Sequence, residues 1–140
     1  MHIVNRVAVL AVLGLLGGCQ MDSRQQALAT GQSQVALRQI QSRAFETSDQ
    51  MFVQRAIIAT LQDLGFVVDQ ADSTVGTVSG TKLDGYALRM TVVSRPRPPR
   101  QTVVRANATF NVRAVEDAQP YQQFFAALSR SLFLAEKQAD

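Results

Sequence analysis

The sequence predicts an α+β fold built as a two-layer sandwich, with an antiparallel sheet in one layer and two helices on one face of it. Two long segments, residues 47–64 and 116–137, carry apolar residues at the three- and four-residue spacing of a helix that buries one side. Between them, residues 104–114 show the strictest apolar and polar alternation, which is typical of a strand with one wet face. The predicted order is strand, helix, four strands, helix, and helices segregated in this way pack on one face of an antiparallel sheet.

The first two elements are predicted from residue 35 onward. Val35 to Phe45 is expected to form a strand, either at a sheet edge or covered on one face only, because polar residues interrupt its apolar ones. Thr47 to Gln50 fits a capping box, with the threonine as N-cap and the glutamine three residues later. The helix is expected to end at Leu64, where Gly65 can adopt the left-handed conformation and Phe66 can fold back on the last turn.

Four strands are predicted next, with an Asp84-Gly85 hairpin turn between the second and third. They cover Phe66–Gln70, Val75–Lys82, Tyr86–Ser94 and a last strand that extends to Ala114. Alternation predicts that the third strand turns inward with Tyr86, Leu88, Met90 and Val92, and outward with Arg89 and Thr91. In the last strand the predicted inner face comprises Val104, Ala106, Ala108, Phe110, Val112 and Ala114, and the outer face comprises Arg105, Asn107, Thr109, Asn111 and Arg113.

A second helix is predicted after Glu116 and Asp117, because acidic residues favour the positive end of the helix dipole and Pro120 is tolerated in the first turn. Its core stripe is expected to be the main hydrophobic anchor of the domain and comprises Tyr121, Phe124, Phe125, Leu128, Leu132 and Ala135. Phe133 and Leu134 lie off this stripe, so the end of the helix is expected to meet another surface.

The N-terminal residues 1–18 have the layout of a secretory signal peptide. A short n-region ends in Arg6, and the apolar run Val7–Leu16 is too short to span a bilayer. Leu16-Gly17-Gly18-Cys19 resembles the lipobox of bacterial lipoproteins. The resemblance implies cleavage before Cys19, a diacylglyceryl group on its sulfur and an acyl chain on its nitrogen. Gln20 stands where aspartate retains members of that family in the inner membrane, so the periplasmic face of the outer membrane is expected.

The remaining chain divides into a tether and one domain. Residues 19–34 comprise the acylated cysteine and a polar segment without a sustained apolar face, which is expected to be flexible. Residues 35–140 are expected to form a single small domain with its own core.

Processing at Cys19 would remove much of the chemistry available to the chain. His2 and Arg6 leave with the signal peptide, so the mature protein has no histidine, no free thiol and a net charge of 13 Lys+Arg minus 11 Asp+Glu, or +2. This charge is too small for a nucleic-acid partner. No nucleophile motif or metal-ligand set is recognisable, so we expect a protein that is not an enzyme and holds no metal.

Two short segments carry a further resemblance. Leu61-Gln62-Asp63-Leu64-Gly65-Phe66-Val67-Val68-Asp69, followed by Gly76-Thr77-Val78, is similar to the helix, Leu-Gly end and Gly-Thr strand of helix-grip, or TATA-binding-protein-like, domains. Such domains occur in the C subunit lipoprotein of the β-barrel assembly machine, and the resemblance in element order covers Val35–Lys137. The segments at residues 121–125 and 132–134 also resemble an uncharacterised family of small bacterial lipoproteins.

Three prolines and three arginines make residues 94–100 the most unusual mature segment. Arg95, Arg97 and Arg100 offer bidentate donors to phosphate or carboxylate on a stiff loop, and Arg89, Arg105 and Arg113 could extend this basic surface across the sheet. The alternative is that the charges and prolines only keep the sheet soluble and block edge pairing. A hydrophobic cavity is a second candidate site and would be lined by Ala106, Ala108, Phe110, Phe124 and Phe125.

Two functions follow as hypotheses. The first is a membrane-anchored docking module of an envelope assembly, secretion or efflux complex, in which the anchor raises the effective concentration of the domain near its partner. The second is a carrier or sensor of a lipid or small apolar ligand, held between the sheet and the C-terminal helix.

Overall fold

A computed structural model describes residues 33–83, 85 and 87–138. The predicted signal peptide, Cys19 and the predicted tether up to residue 32 lie outside the described residues, as do Asp84 and Tyr86. The whole sheet lies in one compact unit that begins at Leu37.

The described chain contains three helices and six strands, which confirms the α+β two-layer prediction. The strands form one antiparallel sheet in the order β1-β5-β4-β3-β2, with the short β6 paired to β5. No helix in these ranges is long and apolar enough to cross a membrane. The elements are α1 (residues 33–40), β1 (Ser42–Phe45), α2 (Gln50–Asp63), β2 (Val67–Asp72), β3 (Thr77–Leu83), β4 (Ala87–Arg97), β5 (Gln101–Phe110), β6 (Arg113–Ala114) and α3 (Ala118–Gln138).

One hydrophobic cluster joins the helices to one face of the sheet. The sheet contributes alternate residues of its central strands, such as Met90 and Val92 on β4 and Val104 on β5, as alternation predicts. The predicted stripe of α3 is confirmed, since all its members except the half-buried Ala135 are buried. The buried helix residues in the cluster are Val53, Ala56, Ile57, Leu61, Tyr121, Phe124, Phe125, Leu128 and Leu132.

The two ends of α2 show one correction and one confirmation. The N-cap is Asp49, whose side chain accepts a hydrogen bond from the Phe52 amide at 2.9 Å, and not Thr47. The Thr47 hydroxyl instead accepts a hydrogen bond from the Asp49 amide, and the Thr47 carbonyl accepts one from the Thr102 hydroxyl. Because Thr47 is held in this way, the helix starts two residues later than the capping box predicts. At the other end the predicted Schellman motif is present: the Phe66 amide donates to the Leu61 carbonyl, and Gly65 has a φ of +85°.

The predicted strand Val35–Phe45 is wrong over most of its length. Residues 33–40 are helical, and only Ser42–Phe45 pair with β5. Leu37 and Ile40 explain the difference, because their three-residue spacing places both on one side of α1, where they pack against the core. A strand would have turned these two residues to opposite faces.

The last predicted strand also ends earlier than its alternation indicates. The chain turns at Asn111 and Val112, and Arg113 pairs back with Phe110 as β6. Asn111 has a φ of +53°, which asparagine tolerates better than most residues, and it bonds Ala87 through both its amide and its side chain. As a result Phe110 is 40% exposed and Val112 95% exposed, whereas both were predicted to face the core.

Candidate functional site

The arginine-rich segment is mainly strand and not loop. Strand β4 continues through Arg97, and only residues 98–100 form the turn that leads to β5. Pro96 is accommodated within the strand because the Ser94 amide already donates to Gly76, the residue just before β3. Pro96 follows Ser94 by two residues, so its nitrogen points to the same side of β4 as the Ser94 amide. It lies beyond the end of β3, where no amide is needed to pair with a neighbouring strand.

The strand register places four of the predicted arginines on the face of the sheet that is turned away from α2 and α3. We call this the outer face. Arg95 lies opposite Val103, Arg105 opposite Val93 and Arg97 opposite Gln101, and all three arginines are exposed. Arg89 lies on the same face, opposite Thr109. The turn residue Arg100 is exposed at the end of this hairpin.

Arg113 does not join these residues. Arg113 pairs with Phe110, which lies on the same face of β5 as the buried Ala108. Arg113 therefore lies on the opposite face of the sheet from Arg105. The prediction of a shared face is wrong because the turn at Asn111 and Val112 reverses the chain, and simple alternation through residue 114 no longer applies.

A depression of about 420 Å³ lies between the strands on the outer face. We call it the arginine groove. Its lining consists of two half-buried valines and three exposed polar residues, namely Val93, Val103, Arg95, Arg105 and Asn107. The site therefore combines aliphatic side chains with guanidinium groups and one carboxamide, a set suited to an anionic group that carries an apolar neighbour.

The hydrogen-bond partners distinguish the arginines of the outer face from one another. Arg89 forms an ion pair with Asp69 at 3.2 Å, the only one among the described residues. Arg97 donates to the Gln101 side chain, which in turn donates to the Glu46 carboxylate. The carboxylates of Asp69 and Glu46 are thus already bound to Arg89 and Gln101, outside the groove.

In the groove itself no carboxylate is in contact. Arg105 donates only to the Ser42 hydroxyl, at 3.3 Å, and Arg95 has no hydrogen-bond acceptor in the described part of the chain. Arg100 likewise has none there. The guanidinium groups beside Val93 and Val103 therefore keep their donors available for a ligand.

The residues of the predicted cavity lie in the core, with one exception. Ala106, Ala108, Phe124 and Phe125 are buried, and the two phenylalanine rings are in edge contact with centroids 5.2 Å apart. The Arg43 guanidinium of β1 lies over the Phe125 ring, 5.1 Å from its centroid. Phe110 is separated from them by its position at the exposed end of β5.

The sequence-based prediction missed the valines of the groove. Val93 and Val103 occupy outward positions of strands whose inward residues are also apolar, so the alternation alone assigns them no role. An aliphatic residue at an outward position next to an arginine was the available signal, but only the strand register brings the two valines and two arginines together.

Comparison with known proteins adds no family to this geometry. No model of a known protein family matches the sequence, and no curated protein gives a significant match. The fold and the groove are therefore the observations on which a functional proposal rests. Among the described residues, no group of three or more histidine, cysteine, aspartate or glutamate side chains is placed to hold a metal ion.

Proposed function

We propose that this protein is a non-enzymatic outer-membrane lipoprotein, anchored through acyl chains on Cys19, whose domain is a docking module for an envelope assembly, secretion or efflux complex. The anchor part of the proposal is supported by the signal-peptide layout and by the Leu-Gly-Gly-Cys sequence that ends at Cys19. The docking part is supported by the arrangement of the folded domain.

The observation that carries the docking proposal is the outer face of the sheet. Both large helices pack on the opposite face, so β4 and β5 present their outward side chains to the surroundings. On these strands the exposed side chains include Arg95, Arg97 and Arg105, and a groove lies between two of them. Two arginines without a carboxylate partner in the described chain, beside two recessed valines, offer a partner both charge-assisted donors and an aliphatic contact.

An anchored module needs little intrinsic affinity. Confinement to one membrane raises the effective concentration of the domain near a partner in the same membrane, so a groove of modest size is sufficient for a stable association. This agrees with a contact surface that is restricted to one hairpin and one turn.

The core favours docking over the carrier hypothesis. A carrier would hold its ligand between the sheet and α3, where Phe124 and Phe125 are in contact with each other and Ala106 and Ala108 are buried. Small residues on a strand that faces a bulky helix allow close packing, and the burial of these four residues is in line with that simpler role.

In-cell crosslinking of the full-length protein tests the proposal. Cells that express the protein with its own leader and a C-terminal tag are treated with formaldehyde, and the recovered proteins are identified by mass spectrometry. We expect a defined envelope protein to be enriched, and we expect the Arg95→Ser/Arg97→Ser/Arg100→Ser variant to lose it.

The matched control is Arg38→Ser/Arg55→Ser/Arg130→Ser, which removes the same charge from exposed positions on the three helices. Recovery of the same envelope protein by the first variant at the wild-type level would reject this surface as the docking site. If lipid extraction of the purified protein instead yields a stoichiometric apolar ligand, the carrier function replaces docking.

A further inference from the structure

We propose that the arginine groove binds an extended acidic segment of a partner protein, with a carboxylate between Arg95 and Arg105 and an aliphatic side chain against Val93 and Val103. This inference deepens the proposed docking function and rests on it, because it names the chemistry of the partner. It follows from the register of β4 and β5, from the distribution of charge on the outer face and from the positions of the exposed apolar residues.

The register arranges the four side chains as two diagonals. Val93 lies opposite Arg105, and Arg95 lies opposite Val103, so the two arginines occupy one diagonal and the two valines the other. Diagonal neighbours in an antiparallel pair have Cβ atoms about 7 to 8 Å apart, within reach of long side chains. One carboxylate can therefore accept hydrogen bonds from both guanidinium groups at once.

The charges around the groove favour an anion. Arg95 and Arg105 carry like charges at neighbouring positions, and neither has a carboxylate partner in the described chain. The nearby acidic groups are engaged elsewhere: Asp69 with Arg89 and Thr81, and Glu46 with Gln101. An anion that enters the groove would relieve the repulsion between the two arginines and would meet no competing carboxylate.

The apolar part of the groove selects against a simple inorganic anion. Val93 and Val103 are half-buried and are flanked by the exposed arginines, so an aliphatic side chain would remove both from water. In an extended peptide, side chains two residues apart point the same way about 7 Å apart, so one such segment can present an acidic and an aliphatic residue together.

The positions of the exposed apolar residues favour a protein segment over a membrane surface. On a membrane-binding face, aliphatic side chains lie next to the arginines and insert between the lipids. Of the described residues, the two most exposed large aliphatic side chains, Leu83 and Val112, lie near the turns where β4 begins and β5 ends, whereas Arg97 and Arg100 lie at the opposite end of these strands. Val67 on β2 and Val75 in the turn before β3 are also exposed, but neither lines the arginine groove. The valines beside Arg95 and Arg105 are recessed.

The test is a binding measurement on the purified acylated protein in detergent micelles. The probe is a fluorescein-labelled peptide with the repeat Asp-Ser-Val-Ser, which places aspartate and valine two residues apart and so on one face of the extended chain. The comparison peptide replaces each aspartate by asparagine. We expect fluorescence anisotropy to show binding of the acidic peptide that is at least about tenfold tighter than that of the neutral one, because asparagine cannot accept charge-assisted hydrogen bonds from the two guanidinium groups in the way a carboxylate does. Binding should weaken as salt is added.

Two double variants locate the binding. Arg95→Gln/Arg105→Gln is expected to weaken binding of the acidic peptide by about tenfold or more. Arg55→Gln/Arg130→Gln removes the same charge from exposed positions on α2 and α3 and is expected to leave it within about twofold, the scale of a screened long-range effect. Equal thermal unfolding midpoints of the two variants exclude misfolding as the cause.

Four results would overturn the inference. Three of them are no binding of the acidic peptide, equal binding of both peptides, and equal losses in the two double variants. Displacement of the peptide by soluble glycerophosphoglycerol at matched ionic strength, dependent on Arg95 and Arg105, would overturn it in favour of a lipid headgroup. The measurement needs neither an envelope partner nor the membrane. Failure of the proposed docking function in cells is therefore distinguishable from failure of this inference.

Discussion

At the scale of single residues, the Tyr121 hydroxyl has a structural role that the sequence did not indicate. The edge of β5 that faces away from β4 is paired with β1 up to Arg105 and with β6 from Thr109. A gap is left between these two short strands. The buried Tyr121 hydroxyl lies in this gap. It accepts hydrogen bonds from the Ala108 amide and the Gln41 side chain, both at 3.1 Å, and donates to the Val115 carbonyl at 2.7 Å.

Removal of this hydroxyl should cost stability without creating a cavity. Tyr121→Phe leaves the Ala108 amide buried without a partner, so we expect the free energy of unfolding to fall by about 1 to 3 kcal/mol. Urea denaturation followed by circular dichroism measures the change.

Thr60→Val provides the control for the Tyr121 prediction. The Thr60 hydroxyl is also buried but has no hydrogen-bond partner among the described residues, so its loss should leave stability unchanged or slightly higher. A Tyr121→Phe protein as stable as the wild type would show that water or a local shift satisfies the edge of β5.

At the scale of elements, the start of β3 depends on a glycine packed against β4. Gly76 has a φ of +78°, and its carbonyl accepts from the Ser94 amide at 2.8 Å. The Gln50 side chain of α2 donates to the Ser94 carbonyl at 3.3 Å, so one helix and two strands meet at this point. A Cβ at position 76 would lie only 2.3 Å from the Ser94 carbonyl oxygen.

The two glycines of the β3 turns provide a matched pair of substitutions. Gly85 also has a positive φ, +71°, but a Cβ there would meet nothing within 4 Å. Gly85→Ala should therefore cost only the left-handed strain of about 1 to 2 kcal/mol. Gly76→Ala adds the clash and should cost about 2 to 5 kcal/mol.

Thermal and urea unfolding of the two alanine variants measures this difference. Equal losses of stability at positions 76 and 85 would mean that the contact between Gly76, Ser94 and Gln50 adjusts freely. The packing described for this junction would then be wrong.

At this scale sequence patterns are sufficient for the long elements and insufficient for the short ones. Both large helices and the central strands were predictable, because each repeats its apolar period over several turns or pairs. The errors fall where a segment is short: residues 35–40 were assigned to a strand, and β5 was extended past Asn111. In both places a tertiary contact decides, the packing of Leu37 and Ile40 in one case and the bonds between Asn111 and Ala87 in the other.

The candidate site was predictable in part for the same reason. Alternation places Arg89 and Arg105 on the outer face, and the structure confirms that placement. It cannot show that Arg95 and Arg105 lie on one diagonal, because the register of β4 against β5 depends on how far both strands extend before the turn at residues 98–100.

At the scale of the whole molecule, the two-layer architecture gives the sheet one face in the core and one face turned to the surroundings. Helices α2 and α3 and the inner face of the sheet form one closed core, which accounts for nearly all the large buried side chains. The outer face is not covered by α2 or α3, and in the proposed docking function Arg95 and Arg105 select an anionic partner. Attachment at Cys19 would complete this arrangement by holding the domain beside a membrane.

Intact-mass spectrometry of the matured protein, purified from bacterial membranes, tests the proposed anchor most directly. The predicted result is a chain that starts at Cys19 and is heavier than the polypeptide of residues 19–140 by one diacylglyceryl group and one acyl chain. Cys19→Ser should abolish the added mass and release the protein from the membrane fraction. A mature chain with an unmodified thiol at Cys19, or with a different first residue, would contradict the membrane-anchored function proposed for this protein.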